Sequence, residues 1–84
     1  MKTQIVVLDR GWVYVGKVSC DEQWVKIEGA HNIRRWGTSK GLGELVDGPK
    51  DNTVLNATGT VNAPLRALIA LIDVNEAAWA SRLA

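Results

Sequence analysis

The chain has 84 residues, of which 46% are hydrophobic and 23% charged, and its formal net charge at pH 7 is +1. This composition excludes a disordered chain, and the length predicts a single domain, residues 1–84, that buries only about 60% of its unfolded surface. So small a core rarely supplies more than about 3–5 kcal/mol, which favours a homo-oligomer or a bound ligand as a further source of stability. The nearly balanced charge argues against a duplex DNA binder, because such proteins need a strong basic excess.

Cys20 and His31 are the only residues of their kinds. Cys20 has no partner for an internal disulfide, and Cys and His residues do not recur at the spacing of a metal site. The sequence shows no signal peptide and no run of about 18 apolar residues that would span a bilayer. These observations predict a cytoplasmic protein without a metal or another cofactor.

The first half of the chain predicts short antiparallel strands joined by tight turns. Residues 4–8 are a β-branched apolar run that ends at a turn at residues 9–11. Residues 12–20 carry apolar side chains on both alternating faces, so both faces of the sheet need cover. Curling into a small barrel, together with packing against a helix or a partner chain, provides that cover. A polar turn at residues 21–23 leads into a half-buried strand at residues 24–28.

The middle of the chain is less regular. Residues 31–36 either extend the preceding strand or open the next one, and residues 37–43 predict a flexible connector. Residues 44–46 predict a short edge strand, followed by a mobile turn at residues 47–52, where several helix and strand breakers occur in a row.

Residues 53–56 predict a strand, and residues 57–60 predict a hairpin turn. The next segment, residues 61–74, has two interpretations. Leucines and isoleucines fall at helical spacing after Pro64, but residues 67–73 are also a continuous apolar run typical of a buried strand. We favour the strand, because the preceding strands need a central partner.

Asn75 and Glu76 predict the start of a short C-terminal helix, on which Trp79 and Leu83 share the face that docks. Taken together, the elements predict a mainly β (α+β) fold. It consists of a small, strongly curved antiparallel sheet or small barrel with a short C-terminal helix.

The strongest functional pattern is the basic segment at residues 32–44. It contains Arg34, Arg35 and Lys40, and no acidic residue before Glu44. Guanidinium groups form forked hydrogen bonds to phosphate, hydroxyls and glycine-rich backbone supply further donors, and an indole face stacks on a base. The alternative is an exposed hairpin end with solvated arginines. The predicted ligand-binding residues are Arg34, Arg35, Trp36, Thr38, Ser39, Lys40 and Gly41.

Four tryptophans are many for a chain of this length, which cannot bury them all. Interfaces between subunits favour Trp and Tyr, so aromatic side chains are candidates for contacts within an oligomer. The predicted interface residues are Trp12, Tyr14, Trp24 and Trp79, of which Trp24 and Trp79 are equally candidates for packing within the chain.

The sequence contains no catalytic set. No serine or cysteine has an evident base partner, and the carboxylates are scattered in turns. The glycine-rich run at residues 37–43 lacks the G-x-x-x-x-G-K-[ST] spacing of a P-loop. The sequence therefore predicts a non-enzymatic binding protein.

Three stretches carry a resemblance to a known group: Ile-Arg-Arg-Trp-Gly-Thr-Ser-Lys-Gly-Leu-Gly-Glu-Leu at residues 33–45, Asn-Thr-Val-Leu at residues 52–55 and Leu-Ile-Asp at residues 71–73. With them the chain resembles very short phage-encoded proteins of mostly unassigned function. It is similar to phage anti-CBASS sponge proteins, which sequester cyclic dinucleotide immune signals such as cyclic GMP–AMP as small oligomers, without cleaving them. The resemblance implies a phage anti-defence protein in the host cytoplasm, and it assigns no individual ligand residue.

The basic segment suits a cyclic dinucleotide or a related small anionic nucleotide. Arg34, Arg35 or Lys40 would meet the two phosphates, and Trp36 would stack on a purine. A symmetric ligand also suits a symmetric oligomer. Two alternatives remain: a protein-interaction or accessory structural protein, and a single-stranded nucleic-acid binder.

Overall fold

The computed structural model describes residues 1–83 and shows a mainly β chain with a short C-terminal helix. The elements are β1 (Lys2–Leu8), β2 (Val13–Cys20), β3 (Trp24–Arg35), β4 (Val54–Pro64), β5 (Leu68–Asp73) and α1 (Glu76–Leu83). The strands form one sheet in the order β4-β3-β2-β1-β5, and all neighbours are antiparallel. The predicted fold class is confirmed.

The connection between β4 and β5 shows that the sheet curls. These strands lie at opposite edges, which would be roughly 19 Å apart in a flat sheet with strands about 4.8 Å apart. From Pro64 to Leu68 the chain has only the 3₁₀ turn Leu65–Ala67, and four residue steps span at most about 14 Å. The two edges must therefore approach each other. The backbone N–H of Leu65 holds this end by donating to the Gln23 carbonyl oxygen at 2.8 Å.

Curling does not close the sheet. Within residues 1–83, no ladder joins β4 to β5, so each keeps a free outer edge. The structure thus shows the curved sheet, and it does not show the small barrel that was the other expectation. None of the helices formed by these residues has the length and apolar character needed to cross a bilayer.

Both faces of the sheet are apolar, as the pattern in residues 12–20 predicts, and each face has its own core. One cluster gathers buried residues of β1 to β4: Val6, Leu8, Val18, Val25, Ile27, Ala30 and Ala63. The other gathers residues beneath α1 and the 3₁₀ turn Leu42–Asp47: Ile5, Val13, Val15, Ile33, Leu45 and Trp79. Trp79 is fully buried, and its Nε1–H donates to the Leu45 carbonyl oxygen at 2.8 Å, which ties the helix to the turn.

Two local predictions are wrong. Residues 57–60 do not form a hairpin turn, because β4 runs through them and Gly59, at φ 76°, lies opposite Ala30 at an irregularity of the ladder. Residues 44–46 do not form an edge strand. They belong to the 3₁₀ turn Leu42–Asp47, which places Leu45 in the core against Trp79.

The other predictions for the second half agree with the structure. The strand interpretation of the apolar run is confirmed by β5, and the helix alternative is wrong. Residues 31–35 extend β3, and α1 begins directly after Asn75.

Candidate functional site

The basic segment leaves the sheet at the end of β3 and lines an open groove. This groove, called the Arg35 groove below, has a volume of about 810 Å³ and is lined by Arg35, Trp36, Gly37, Thr38, Ser39 and Asn52. Four predicted ligand-binding residues, Arg35, Trp36, Thr38 and Ser39, therefore lie together. The other three do not line the groove: Arg34 precedes it in the chain, and Lys40 and Gly41 follow it.

The two arginines are placed differently. Arg35 lines the groove and Arg34 does not, so the two guanidinium groups do not converge there. Arg35 is the last residue of β3 and pairs with Val54, after a register shift that follows Ile33. Both arginines are exposed, and within residues 1–83 neither forms an ion pair with a carboxylate. The guanidinium that lines the groove is therefore free to bind an anion.

Thr53 fixes the backbone at the base of the groove by hydrogen bonds. Its hydroxyl donates to the Trp36 carbonyl oxygen at 2.6 Å and accepts the Lys50 N–H at 2.9 Å, and the residue is buried. These bonds join the segment after β3 to the turn before β4, and they bring Asn52 into the lining. Sequence reasoning missed Asn52, because only the pairing of β3 with β4 reveals that it lies beside Arg35.

Gly37 makes the close approach between these two segments possible. It has φ 67°, in the left-handed region that favours glycine, and an added Cβ would lie 2.3 Å from the carbonyl carbon of Asn52. Any side chain here would therefore push the two walls of the groove apart. The glycine shapes the groove as well as the turn.

Trp36 is 41% exposed, so it is not buried in the core. Its backbone is fixed by the Thr53 hydroxyl, while part of the indole remains open to solvent beside the groove. An indole held in this way offers a flat apolar surface on which a base can stack without large ordering of the chain.

Glu44 accepts hydrogen bonds from the C-terminal part of the basic segment. Its Oε2 accepts the backbone N–H of Lys40 and the hydroxyl of Ser39, the latter at 3.4 Å. Two hydrogen-bond donors that the sequence analysis assigned to a ligand anion therefore already bind a carboxylate of the chain. A phosphate in the Arg35 groove would meet Arg35 and Thr38 first and would have to compete with Glu44 for Ser39.

The four predicted interface residues occupy three different places. Trp12 and Tyr14 stack with ring centroids 6.4 Å apart and planes 11° apart, and Trp12 is 56% exposed. Trp24 is also exposed, but it lies in a separate groove beside Pro64. Trp79 has no exposed surface to offer to a second subunit, because the core beneath α1 encloses it. Its role is packing within the chain.

Outside the Arg35 groove, the turn between β2 and β3 is held by Asp21. Its carboxylate accepts the backbone N–H groups of Gln23 and Trp24, each at 2.7 Å. These bonds lower the pKa of Asp21 below its usual value. The charged carboxylate therefore closes the turn at neutral pH.

Two further carboxylates are stabilised in their charged form at the other edge of the sheet. The pKa of Asp73 is lowered by the Gln4 side-chain amide, which donates a hydrogen bond, and then by the Lys2 ammonium at 3.1 Å. The pKa of Glu76 is lowered first by the Thr3 backbone N–H, which donates to it at 2.7 Å. These groups attach β5 and α1 to β1 and lie away from the Arg35 groove.

No protein-family model, curated protein or solved structure matches the chain. Within residues 1–83, no group of three or more His, Cys, Asp or Glu side chains is arranged to hold a metal ion. The Arg35 groove is therefore the site from which a function is proposed.

Proposed function

We propose that the chain binds and sequesters a small anionic nucleotide, such as a cyclic dinucleotide, in the Arg35 groove without cleaving it. The observation that carries this proposal is the juxtaposition of the exposed indole of Trp36 with the guanidinium of Arg35, which forms no ion pair within residues 1–83. Phosphate recognition and base stacking are the two interactions that a nucleotide offers together.

The remaining lining suits the same ligand. Thr38 supplies a hydroxyl and Asn52 an amide with both donors and an acceptor, which can bond the edge of a base or a phosphate oxygen. A volume of about 810 Å³ falls within the range of small-molecule sites, roughly 300–1,000 Å³. Thr53 fixes the groove by hydrogen bonds within the chain, so little ordering is needed on binding.

The composition of the lining supports binding over catalysis. It includes no Asp, Glu, His or Cys side chain, so the groove has no group that titrates near neutral pH and no thiolate nucleophile. A nucleotide bound there would be held by hydrogen bonds and stacking and released unchanged. Sequestration as a host-cell anti-defence activity, in a homo-oligomer, follows from the resemblance in residues 33–45 and is part of this proposal.

A thermal-shift panel of cyclic mono-, di- and trinucleotides, linear nucleotides and a single-stranded oligonucleotide tests the proposal. A ligand at 100 times its dissociation constant adds about 2.7 kcal/mol, which raises the Tm of a domain this small by several degrees. We expect a shift with a cyclic nucleotide such as cyclic GMP–AMP, and mass spectrometry should recover that ligand intact.

Three results would contradict the proposal. The absence of a Tm shift with every ligand of the panel would contradict nucleotide binding by the chain. Recovery of a cleaved product would replace sequestration by catalysis. A shift confined to the oligonucleotide, with a steep salt dependence, would favour a single-stranded nucleic-acid binder.

A further inference from the structure

The outer edge of β5, called the β5 edge below, is a free strand edge at the end of the sheet. Leu68–Asp73 pair with β1 on one side only, over a length of about 20 Å. Among residues 1–83, the Leu68 N–H donates to the Leu65 carbonyl oxygen in the 3₁₀ turn, and no other backbone hydrogen bond outside that ladder involves this strand. From Ile69 onward the outward N–H and C=O groups are therefore unpaired, and the partner that satisfies such a row is another extended strand.

The β5 edge is also apolar. Ile69 is 65% exposed and Leu71 is 37% exposed. Leu71 pairs with Val6, which pairs with Tyr14 in β2, so these three side chains form one row on one face. Val6 in the middle of this row is fully buried, so the exposed apolar surface at the edge comes from Ile69 and Leu71, and Tyr14 with its stacked Trp12 lies two strands away.

The opposite edge of the sheet, along β4, is also free but has different side chains and a less regular backbone. Along β4 the side chains of Asn56, Thr58, Thr60 and Asn62 are exposed and polar. Gly59 interrupts the regular ladder, and the strand ends at Pro64, which has no N–H to donate. Polar residues, an irregularity and a proline protect an edge from pairing, whereas the β5 edge presents leucine and isoleucine.

The ladder restricts where a partner strand can pair. The register between β1 and β5 shifts at Ile69, which lies between the pairs Leu8–Leu68 and Val7–Ala70. Beyond that point the register is regular, so residues 70–73 present evenly spaced backbone groups. The irregularity lies near one end of the strand and does not block pairing along the rest of it.

The charges at the two ends of β5 identify the partner. Arg66 precedes the strand and forms no ion pair within residues 1–83. Asp73 ends the strand, followed by Glu76; Lys2 and Gln4 both contact Oδ1 of Asp73, and its side chain stays 68% exposed. A second copy in antiparallel orientation would bring Arg66 of each chain towards the acidic end of the other, twice over a two-fold axis. Parallel pairing would instead bring like charges together.

We propose that two copies of this chain pair β5 against β5 in antiparallel orientation, joining their sheets into one continuous sheet. A two-fold axis perpendicular to the sheet leaves each side chain on the same face of the sheet in both copies. Opposed residues must therefore be an even number of positions apart in the sequence, so either Ala70 or Leu71 lies opposite its own counterpart across the axis. In the first case Ile69 lies opposite Leu71 of the second copy, and in the second Ala70 lies opposite Ile72. This inference does not depend on nucleotide binding.

Molar mass measured by light scattering over a wide range of protein concentration tests the proposal. We expect a concentration-dependent dimer for the wild type, and a dissociation constant raised at least about tenfold by Leu71→Lys, which places a charge on the edge. Val54→Lys is the matched control, because Val54 is 38% exposed at the start of the other edge strand. It should leave the dimer unchanged, and circular dichroism should show both variants folded.

Two results overturn the inference. One is a monomeric wild type throughout the range. The other is a dimer that survives Leu71→Lys and dissociates with Val54→Lys, which would move the interface to β4.

Cysteine crosslinking provides a second, independent test of the orientation. Directly opposed residues in an antiparallel pair have Cα atoms about 4.5–5.5 Å apart, within the reach of a disulfide. In a Cys20→Ser background, which removes the exposed native thiol, we expect mild oxidation to crosslink either Ala70→Cys or Leu71→Cys. A wild-type dimer in which neither position crosslinks would show that the chains meet elsewhere.

Discussion

Trp79 is the residue whose replacement most sharply tests the core beneath α1. Its side chain is 0% exposed, and its Nε1–H donates to the Leu45 carbonyl oxygen at 2.8 Å. Trp79→Phe keeps an aromatic ring but removes that donor, so the Leu45 carbonyl oxygen keeps only the Gly48 N–H at 3.1 Å, and the lost hydrogen bond costs about 0.5–1.5 kcal/mol. The smaller ring also leaves a void, so the whole loss is roughly 2–4 kcal/mol.

For a domain of this size, 1 kcal/mol corresponds to about 4–8 °C in Tm, so we expect Trp79→Phe to lower the Tm by at least about 8 °C. Thermal unfolding followed by circular dichroism measures this difference at two protein concentrations. The difference from the wild type should be the same at both, because the lost contacts lie within one chain. Trp12→Phe is the control: Trp12 is 56% exposed, and the change should stay within about 0.5 kcal/mol.

A Tm for Trp79→Phe within about 2 °C of the wild type would refute this account of the core. A difference that appears only at low protein concentration would instead assign Trp79 to a subunit contact. A subunit contact is one of the two roles that the sequence analysis left open for Trp79.

Three further predictions concern the Arg35 groove and the charged contacts. Gly37→Ala forces a Cβ against Asn52 at φ 67°, so it should lower the Tm and weaken nucleotide binding. Gly43→Ala, with no atom within 4 Å of its Cβ, should change neither. Equal Tm values for the two variants would contradict the close approach of Gly37 to Asn52. Glu44→Gln removes a negative charge near the groove and should tighten anion binding by up to about fivefold in a calorimetric titration; weaker binding would show that the carboxylate organises the segment. The depressed pKa values of Asp21, Asp73 and Glu76 contribute stability that is present above their unfolded-state pKa values and is lost as the pH falls through the folded ones. The Tm should therefore be nearly constant from pH 7 to about pH 5 and fall below about pH 4, and a Tm that rises on acidification would contradict that sign.

Local sequence patterns predicted the elements whose boundaries depend on turn chemistry. The turns at residues 9–11 and 21–23 contain glycine or a carboxylate that bonds the following N–H groups, and both are present. The information for these turns is contained within a few neighbouring residues. The apolar run that becomes β5 was correctly assigned as a strand, but the reason was wrong, because β5 lies at an edge of the sheet and is not a central partner.

The errors arose where a distant contact overrides the local pattern. Thr58, Gly59 and Thr60 have the composition of a turn, but pairing with β3 holds them in β4. Leu45 has a strand-like neighbourhood, but packing against Trp79 places it in a 3₁₀ turn.

The candidate site shows the same division between local and distant information. The basic composition of residues 34–40 pointed to Arg35 and Trp36, whereas the absence of Arg34 from the groove lining is visible only in the folded chain. The binding of Glu44 to Ser39 and Lys40 depends on the fold of the following turn.

The most direct test of the proposed function compares two adjacent arginines. Arg35 lines the groove and Arg34 does not, although both are exposed and share the same chemistry. In calorimetric titrations with cyclic GMP–AMP, or with the cyclic nucleotide that gives the largest thermal shift, Arg35→Ala should lose a charged hydrogen bond. The expected cost is about 1.5–3 kcal/mol, roughly a 10- to 150-fold weaker affinity. Arg34→Ala should bind within about threefold of the wild type, since it keeps the lining intact. Equal affinity of Arg35→Ala and the wild type, or a larger loss in Arg34→Ala, would contradict the assignment of the Arg35 groove as the nucleotide site.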